Sequence, residues 1–240
     1  MAHLDISAID RWANGGKSLL HLASPASKVF LMAATLASII LTSALGILLG
    51  IYLMVLLLIA LARLPLLKTM ALAAYPAAFA LLFAFSQMTG GWQQPVIIVM
   101  KAQAAALSLL LLLGTTSYPQ VFGLISHLMP RILSDSLFLT YRLFFVLLEM
   151  IDRFLNAIRL RGGLSSFRLS TNLRNIALGL GRLLIFSYEK SQRLYDVMNL
   201  RGYRGEIVRP AKLKGGRHDW LPTMTGIAVL TSSILWKVWN

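Results

Sequence analysis

No cysteine occurs anywhere in the chain. That removes disulfide frameworks, thiolate metal sites and cysteine nucleophiles together. Acid is scarce as well, with 9 Asp and Glu against 23 Lys and Arg and a net charge of +14. Charged residues of both signs make up 13% of the sequence, about half the share usual in a soluble domain. Histidine is sparse too: His3, His21, His127 and His218 are scattered, none with a His or Cys at metal-ligand spacing, so beyond an adventitious pairing of His3 with Asp5 no metal site is expected. No Gly-x4-Gly-Lys-Ser/Thr run is present, so nucleotide hydrolysis is not expected of this chain. Residues 1–24 carry Asp5, Asp10, Arg11 and Lys17 and lack an apolar core, so no cleavable signal peptide is expected there.

What fills the chain instead is apolar residue, 57% of the total, with a mean hydropathy of +0.70. Val29 to Ala62 runs without a charge. As a single helix it would be about 51 Å long at 1.5 Å per residue, against a hydrocarbon core of about 30 Å. A hairpin is therefore expected at Thr42-Ser43-Ala44-Leu45-Gly46, and Ser24-Pro25 reads as a cap followed by a first-turn proline. Further crossings fit Thr69–Phe85, with Pro76 as a tolerated kink, Val96–Leu113, and Leu221–Val238 between Trp220 and the pair Trp236 and Trp239. The fold class expected is all-α: a polytopic membrane protein with about five transmembrane helices. Its parts are an N-terminal segment 1–28, four crossings in 29–117, a cytoplasmic region 118–219 and a last crossing in 220–240.

Charge sets the expected orientation. The turn at 42–46 and the loop at 86–95 are uncharged, whereas Arg63–Lys68 is basic. Residues 118–219 hold 16 Lys and Arg with 7 acids. Basic connections stay on the cytoplasmic side, which places the N-terminus inside and the C-terminus outside. Lys101, near the outer end of the fourth crossing, is expected to snorkel.

Two long helical patterns occupy the basic region. In the first, Leu137, Tyr141, Phe144, Leu148, Ile151, Leu155 and Ile158 recur at steps of four and three. Arg142, Glu149 and Asp152 argue against that helix spanning the bilayer and favour one lying along its inner surface. In the second, Leu173, Ala177, Leu180, Leu184, Ser187, Ser191, Leu194 and Met198 form a stripe with many small residues, and Gly179 and Gly181 lie beside it. Small residues let helices cross closely. Ala177, Leu180, Leu184, Ser187, Ser191 and Leu194 are accordingly the candidate crossing residues, and Ser187→Leu with Ser191→Leu is expected to uncouple transport.

The strongest feature is a repeat. Both patterns end in Leu-Arg-Gly, as Leu160-Arg161-Gly162 and Leu200-Arg201-Gly202, with Glu149 and Arg153 before the first and Glu189 and Arg193 at the same distances before the second. Each part has a structural explanation: an i,i+4 ion pair, an arginine suited to the helix dipole, a glycine that caps. Two copies in one register point further. Arginine suits planar contact with a carboxylate, so two of them on helix tips suit a partner with two equivalent acidic grooves.

This doubled x-Arg-Gly ending resembles that of the T component (EcfT/CbiQ family) of energy-coupling-factor ABC transporters. The stretch Asp10-Arg11, Ser18-Leu-Leu-His21-Leu22, Pro25 and Lys28 is similar to the start of that family, its cobalt and nickel branch in particular. Many members have alanine before the arginine; here leucine stands at both places. The resemblance implies a non-catalytic coupling subunit in a bacterial cytoplasmic membrane, importing cobalt or nickel, with a vitamin importer as the alternative. It also implies docking by Arg161 and Arg201, with Gly162 and Gly202 setting the turn beside Leu160 and Leu200. Implied partners are two ATP-binding-cassette subunits, which carry ATP and Mg, a substrate-binding membrane subunit, and a small accessory membrane protein.

Other classes fit less well. An intramembrane hydrolase needs carboxylates, a metal cluster or a Ser/Lys or Ser/His pair at membrane depth, and the crossings hold no acid. A stand-alone basic membrane transporter usually shows ionisable or broken-helix features at the midplane, which only Pro76 and Lys101 approach. No nucleic-acid partner is expected, because the cations alternate with acids and lack aromatic stacking platforms. Attraction to acidic headgroups is expected, most of all at Arg209–Arg217.

Overall fold

The computed structural model describes residues 12–16, 18–87, 91–126, 129–160, 169–203 and 216–239. Every regular element among them is helical. In chain order these are α1 (Leu19–Leu22), α2 (Pro25–Leu41), α3 (Leu45–Leu61), α4 (Leu66–Ser86), α5 (Gln93–Thr115), α6 (Tyr118–Ile125), α7 (Arg131–Leu160), α8 (Leu169–Leu200), a 3-10 turn (Arg217–Asp219) and α9 (Trp220–Trp239). The chain divides into two compact units, residues 1–124 with 210–240, and residues 125–209.

In the first unit the long apolar run folds back where the hairpin is expected. Thr42 and Ala44 are extended and separate α2 from α3. Ser24 caps α2 by accepting a bond from the Ser27 amide, and Pro25 opens the helix, where its missing N–H costs nothing. Among the described residues, three helices are long and apolar enough to cross a membrane: α4, α5 and α9. The apolar α2 and α3 have 17 residues each, about 26 Å by the helical rise, at the short end of what spans a bilayer. The chain is an all-α polytopic membrane protein. The 30-residue α7 is not among the helices apolar enough to cross.

The core of this unit lies between α3 and α5, where Leu48, Val55, Leu58, Ile59 and Leu107 are almost wholly buried. Around it, helices approach through small residues, as they must where lipid supplies no hydrophobic drive. On α9 a Cβ added at Gly226 would meet Phe30 at 3.2 Å and Ala34 at 3.5 Å. At the end of α5, one added at Gly114 would meet Leu64 at 2.9 Å. Pro76 sits inside α4, whose buried positions Thr69, Ala73, Ala77 and Ala84 are all small.

A polar knot ties three helix ends together. Asp219 accepts the Ser24 amide at 2.5 Å and the Ser27 hydroxyl at 3.2 Å on one oxygen, and the Gly216 amide at 2.8 Å on the other. One turn on, buried Lys28 donates to the Thr115 carbonyl at 2.9 Å. The start of α9 is thereby fastened to the start of α2, and α2 to the end of α5. His21 packs nearby, accepting from Ser18 at Nδ1 (2.7 Å) and donating from Nε2 to the Trp12 carbonyl at 3.2 Å.

Candidate functional site

Within the second unit α7 and α8 pack together, and the close approach is at one glycine. The Phe154 ring of α7 occupies the space where Gly179 would carry a Cβ. Ile176 and Leu183, one turn to either side of Gly179, are half-buried. Of the candidate crossing residues, Ala177, Leu180, Leu184 and Ser191 face outward, with Leu184 70% exposed, while Ser187 and Leu194 are half-buried. Both serine hydroxyls turn back onto their own helix, Ser187 to the Leu184 carbonyl at 2.8 Å and Ser191 to the Tyr188 carbonyl at 2.9 Å.

The second Leu-Arg-Gly ending is a complete helix stop. The Tyr203 amide reaches back to the Met198 carbonyl at 3.0 Å, and the Gly202 amide to Asn199 at 3.0 Å. That pair of bonds defines a Schellman turn. Gly202 takes φ +79, which a side chain would resist. Arg201 is thus the last residue before the reversal and is exposed, with Leu200 88% exposed beside it. At the end of α7, Leu160 is 89% exposed in the same repeat position. Arg161 and Gly162 lie outside the described residues. The Glu149–Arg153 ion pair forms one turn apart on α7, whereas Glu189 and Arg193 are both exposed and make no ion pair among the described residues.

Two residues that sequence reasoning did not single out support this ending. Tyr203 donates its hydroxyl to Asp135 at 3.3 Å, and Asp135 is buried near the start of α7. Burial, then the negative charge of Asp135, holds the Tyr203 phenol above its ordinary range. A lone tyrosine after a capping glycine and an acid 68 residues earlier offer no pattern that a sequence could reveal.

A model of the CbiQ cobalt transport protein family matches residues 16–210. The chain belongs to that family. A comparison with curated proteins found no match. This cobalt transport family member is accordingly a membrane transport protein. The matched span takes in α1 to α8 and the second Leu-Arg-Gly ending. Among the described residues no group of three or more His, Asp or Glu is placed to hold a metal ion.

Proposed function

We propose that this CbiQ-family protein is the transmembrane coupling component of an energy-coupling-factor importer, moving cobalt or nickel across a bacterial cytoplasmic membrane. One observation carries the reading. Two helices packed against each other end in the same tripeptide, and each ending leaves a leucine almost wholly exposed, Leu160 at 89% and Leu200 at 88%. Burying such a side chain stabilises an interface by about 1.5–3 kcal/mol, and the adjoining arginines, Arg161 and Arg201, add charge-assisted bonds to carboxylates. A leucine plug beside an arginine, offered twice, suits two copies of one acidic groove.

The partners are two ATP-binding-cassette subunits, which bind ATP and Mg, and a membrane subunit that recognises the substrate, with a small accessory membrane protein beside it. ATP binding draws the two grooves together. α7 and α8, held by their tips, shift against each other about the Phe154–Gly179 contact. The outward residues of α8, from Leu173 through Leu180 and Leu184, pass that motion to the substrate-binding subunit. The N-terminus lies in the cytoplasm and the C-terminus outside.

The test compares wild type with Arg161→Glu, Arg201→Glu and the double variant, co-expressed with candidate ATPase and membrane partners and purified through this chain. The double variant is expected to lose the ATPases, by at least about a hundredfold in affinity for two charge-assisted contacts, while retaining the membrane partner. ATPase binding undiminished in the double variant would reduce both endings to helix caps.

A further inference from the structure

The end of α3 departs from the usual rule for helix stops. The Leu64 amide bonds to the Ile59 carbonyl at 3.3 Å and the Arg63 amide to Ala60 at 3.0 Å, the same turn that closes α8. The residue at the left-handed position is Arg63, with φ +56, where glycine fits without steric cost. An arginine held there is placed for its side chain. It lines a recess of about 400 Å³ together with Trp12, Gly15, Ser18, His21 and Pro65, a volume in the range of small-ligand sites.

The recess offers donors. Neither the Arg63 guanidinium nor the Trp12 indole N–H has a hydrogen-bond partner among the described residues, and no carboxylate there pairs with Arg63. His21 is a wall and not a ligand, since both its ring nitrogens are engaged. A guanidinium and an indole N–H on residues lining one recess suit a phosphate oxygen. The surroundings name its source. Leu53, Leu57 and Leu61, four residues apart along α3 and 52–59% exposed, form an apolar ridge that ends two residues before Arg63. Acyl chains lie along such a ridge, and their headgroup then sits at the recess.

We propose that this recess binds the phosphate of an anionic phospholipid, seating one lipid at the end of α3. The site is separate from the docking reading and stands or falls without it.

The experiment uses the full chain in mild detergent and counts phosphatidylglycerol molecules retained under graded collisional activation in native mass spectrometry. Wild type is compared with Arg63→Gly, Gly15→Leu and Lys68→Gln. Glycine is the favoured residue for the turn at 63, so Arg63→Gly removes the guanidinium while keeping the backbone, and an undiminished Tm verifies that. Gly15 lines the recess and a Cβ there meets nothing within 4 Å, so leucine is tolerated, adds bulk at the recess wall and leaves the charge in place. Both variants are expected to weaken one phosphatidylglycerol by about tenfold, the worth of one charge-assisted contact. Lys68→Gln, an exposed cation in the first turn of α4 that does not line the recess, is expected to bind like wild type. Equal lipid retention by Arg63→Gly and wild type overturns the proposal, as does an equal loss in Lys68→Gln. Displacement of the bound lipid by millimolar inorganic phosphate would assign the recess to free phosphate and overturn the lipid as its occupant.

Discussion

At Gly202 the backbone holds φ +79 to turn the chain immediately after Arg201. Replacing this glycine by alanine forces a Cβ into the left-handed region, which costs about 1–2 kcal/mol. Gly202→Ala is expected to lower Tm and to weaken ATPase retention without touching Arg201, and Gly202→Asn to do so less, since asparagine tolerates that conformation. Equal retention in pull-down by both variants and wild type would separate the turn from docking. Two titratable residues make stability sensitive to acid. Burial, with the positive charge of Lys28 adding to it, outweighs the Trp12 bond and keeps the His21 pKa below 6.5. The unfolded chain therefore takes up the proton first, and stability falls as pH drops below 6.5 toward the folded value. For Asp219 burial favours the neutral acid, but bonds from the Ser24 and Gly216 amides and the Ser24 and Ser27 hydroxyls overcome it and hold the carboxyl below 3.8. Its contribution is complete above 3.8 and is lost as pH falls through the lower folded value. Tm measured at pH 7 and pH 5 should drop less on acidification in His21→Gln than in wild type. Asp219→Asn should cost about 1 kcal/mol at neutral pH, for exchanging a partly solvated charged acceptor.

Among the elements, the pair α7 and α8 depends on a single absent side chain. The Phe154 ring fills the place of a Cβ at Gly179, so any substitution there drives the helices apart. Gly179→Leu is expected to cost about 1–3 kcal/mol, as overpacking does, and to reduce transport. Adding Phe154→Ala should recover part of the Tm by making room. If Gly179→Leu matched wild type in both Tm and transport, the crossing would not be the pivot of coupling. Gly181, two residues on, has open space around it, so Gly181→Ala is the control and should stabilise the helix by up to about 1 kcal/mol.

For the whole molecule, the absence of cysteine makes orientation directly measurable, because any introduced thiol is the only one. Gln87→Cys, between α4 and α5, and Trp239→Cys, at the exposed end of α9, should react with a membrane-impermeant maleimide from outside intact cells. Ser170→Cys, at the exposed start of α8, should react only after the cells are opened. Labelling of Ser170→Cys in intact cells would reverse the topology. An odd number of crossings is required for the two chain ends to lie on opposite sides. The three helices α4, α5 and α9 meet that condition, and so does the five-crossing reading, in which the 17-residue α2 and α3 both span with little room for tilt.

Much of this architecture was legible because membrane segments announce themselves. An uncharged run too long for one helix has to turn back, and it does so at Thr42–Ala44; the apolar stretches that became α4, α5 and α9 are unmistakable for the same reason. The repeat in Leu160-Arg161-Gly162 and Leu200-Arg201-Gly202 was legible too, since a duplicated spacing is a property of the one-dimensional chain. Which side of α8 meets α7 was not. Apolar residues line both the Leu173–Leu180–Leu184 face and the Ile176–Gly179–Leu183 face, and periodicity alone does not choose between them. Only packing did, by fitting the Phe154 ring over a glycine. The Asp219 knot and the Tyr203–Asp135 bond were equally beyond reach, joining residues 195 and 68 positions apart through single polar atoms. Sequence by itself determined which segments are apolar enough to leave water and that α8 stops at Leu-Arg-Gly, because both follow from local composition. Tertiary structure decided which faces meet and which lone charges find partners, because those depend on distances that no local pattern encodes.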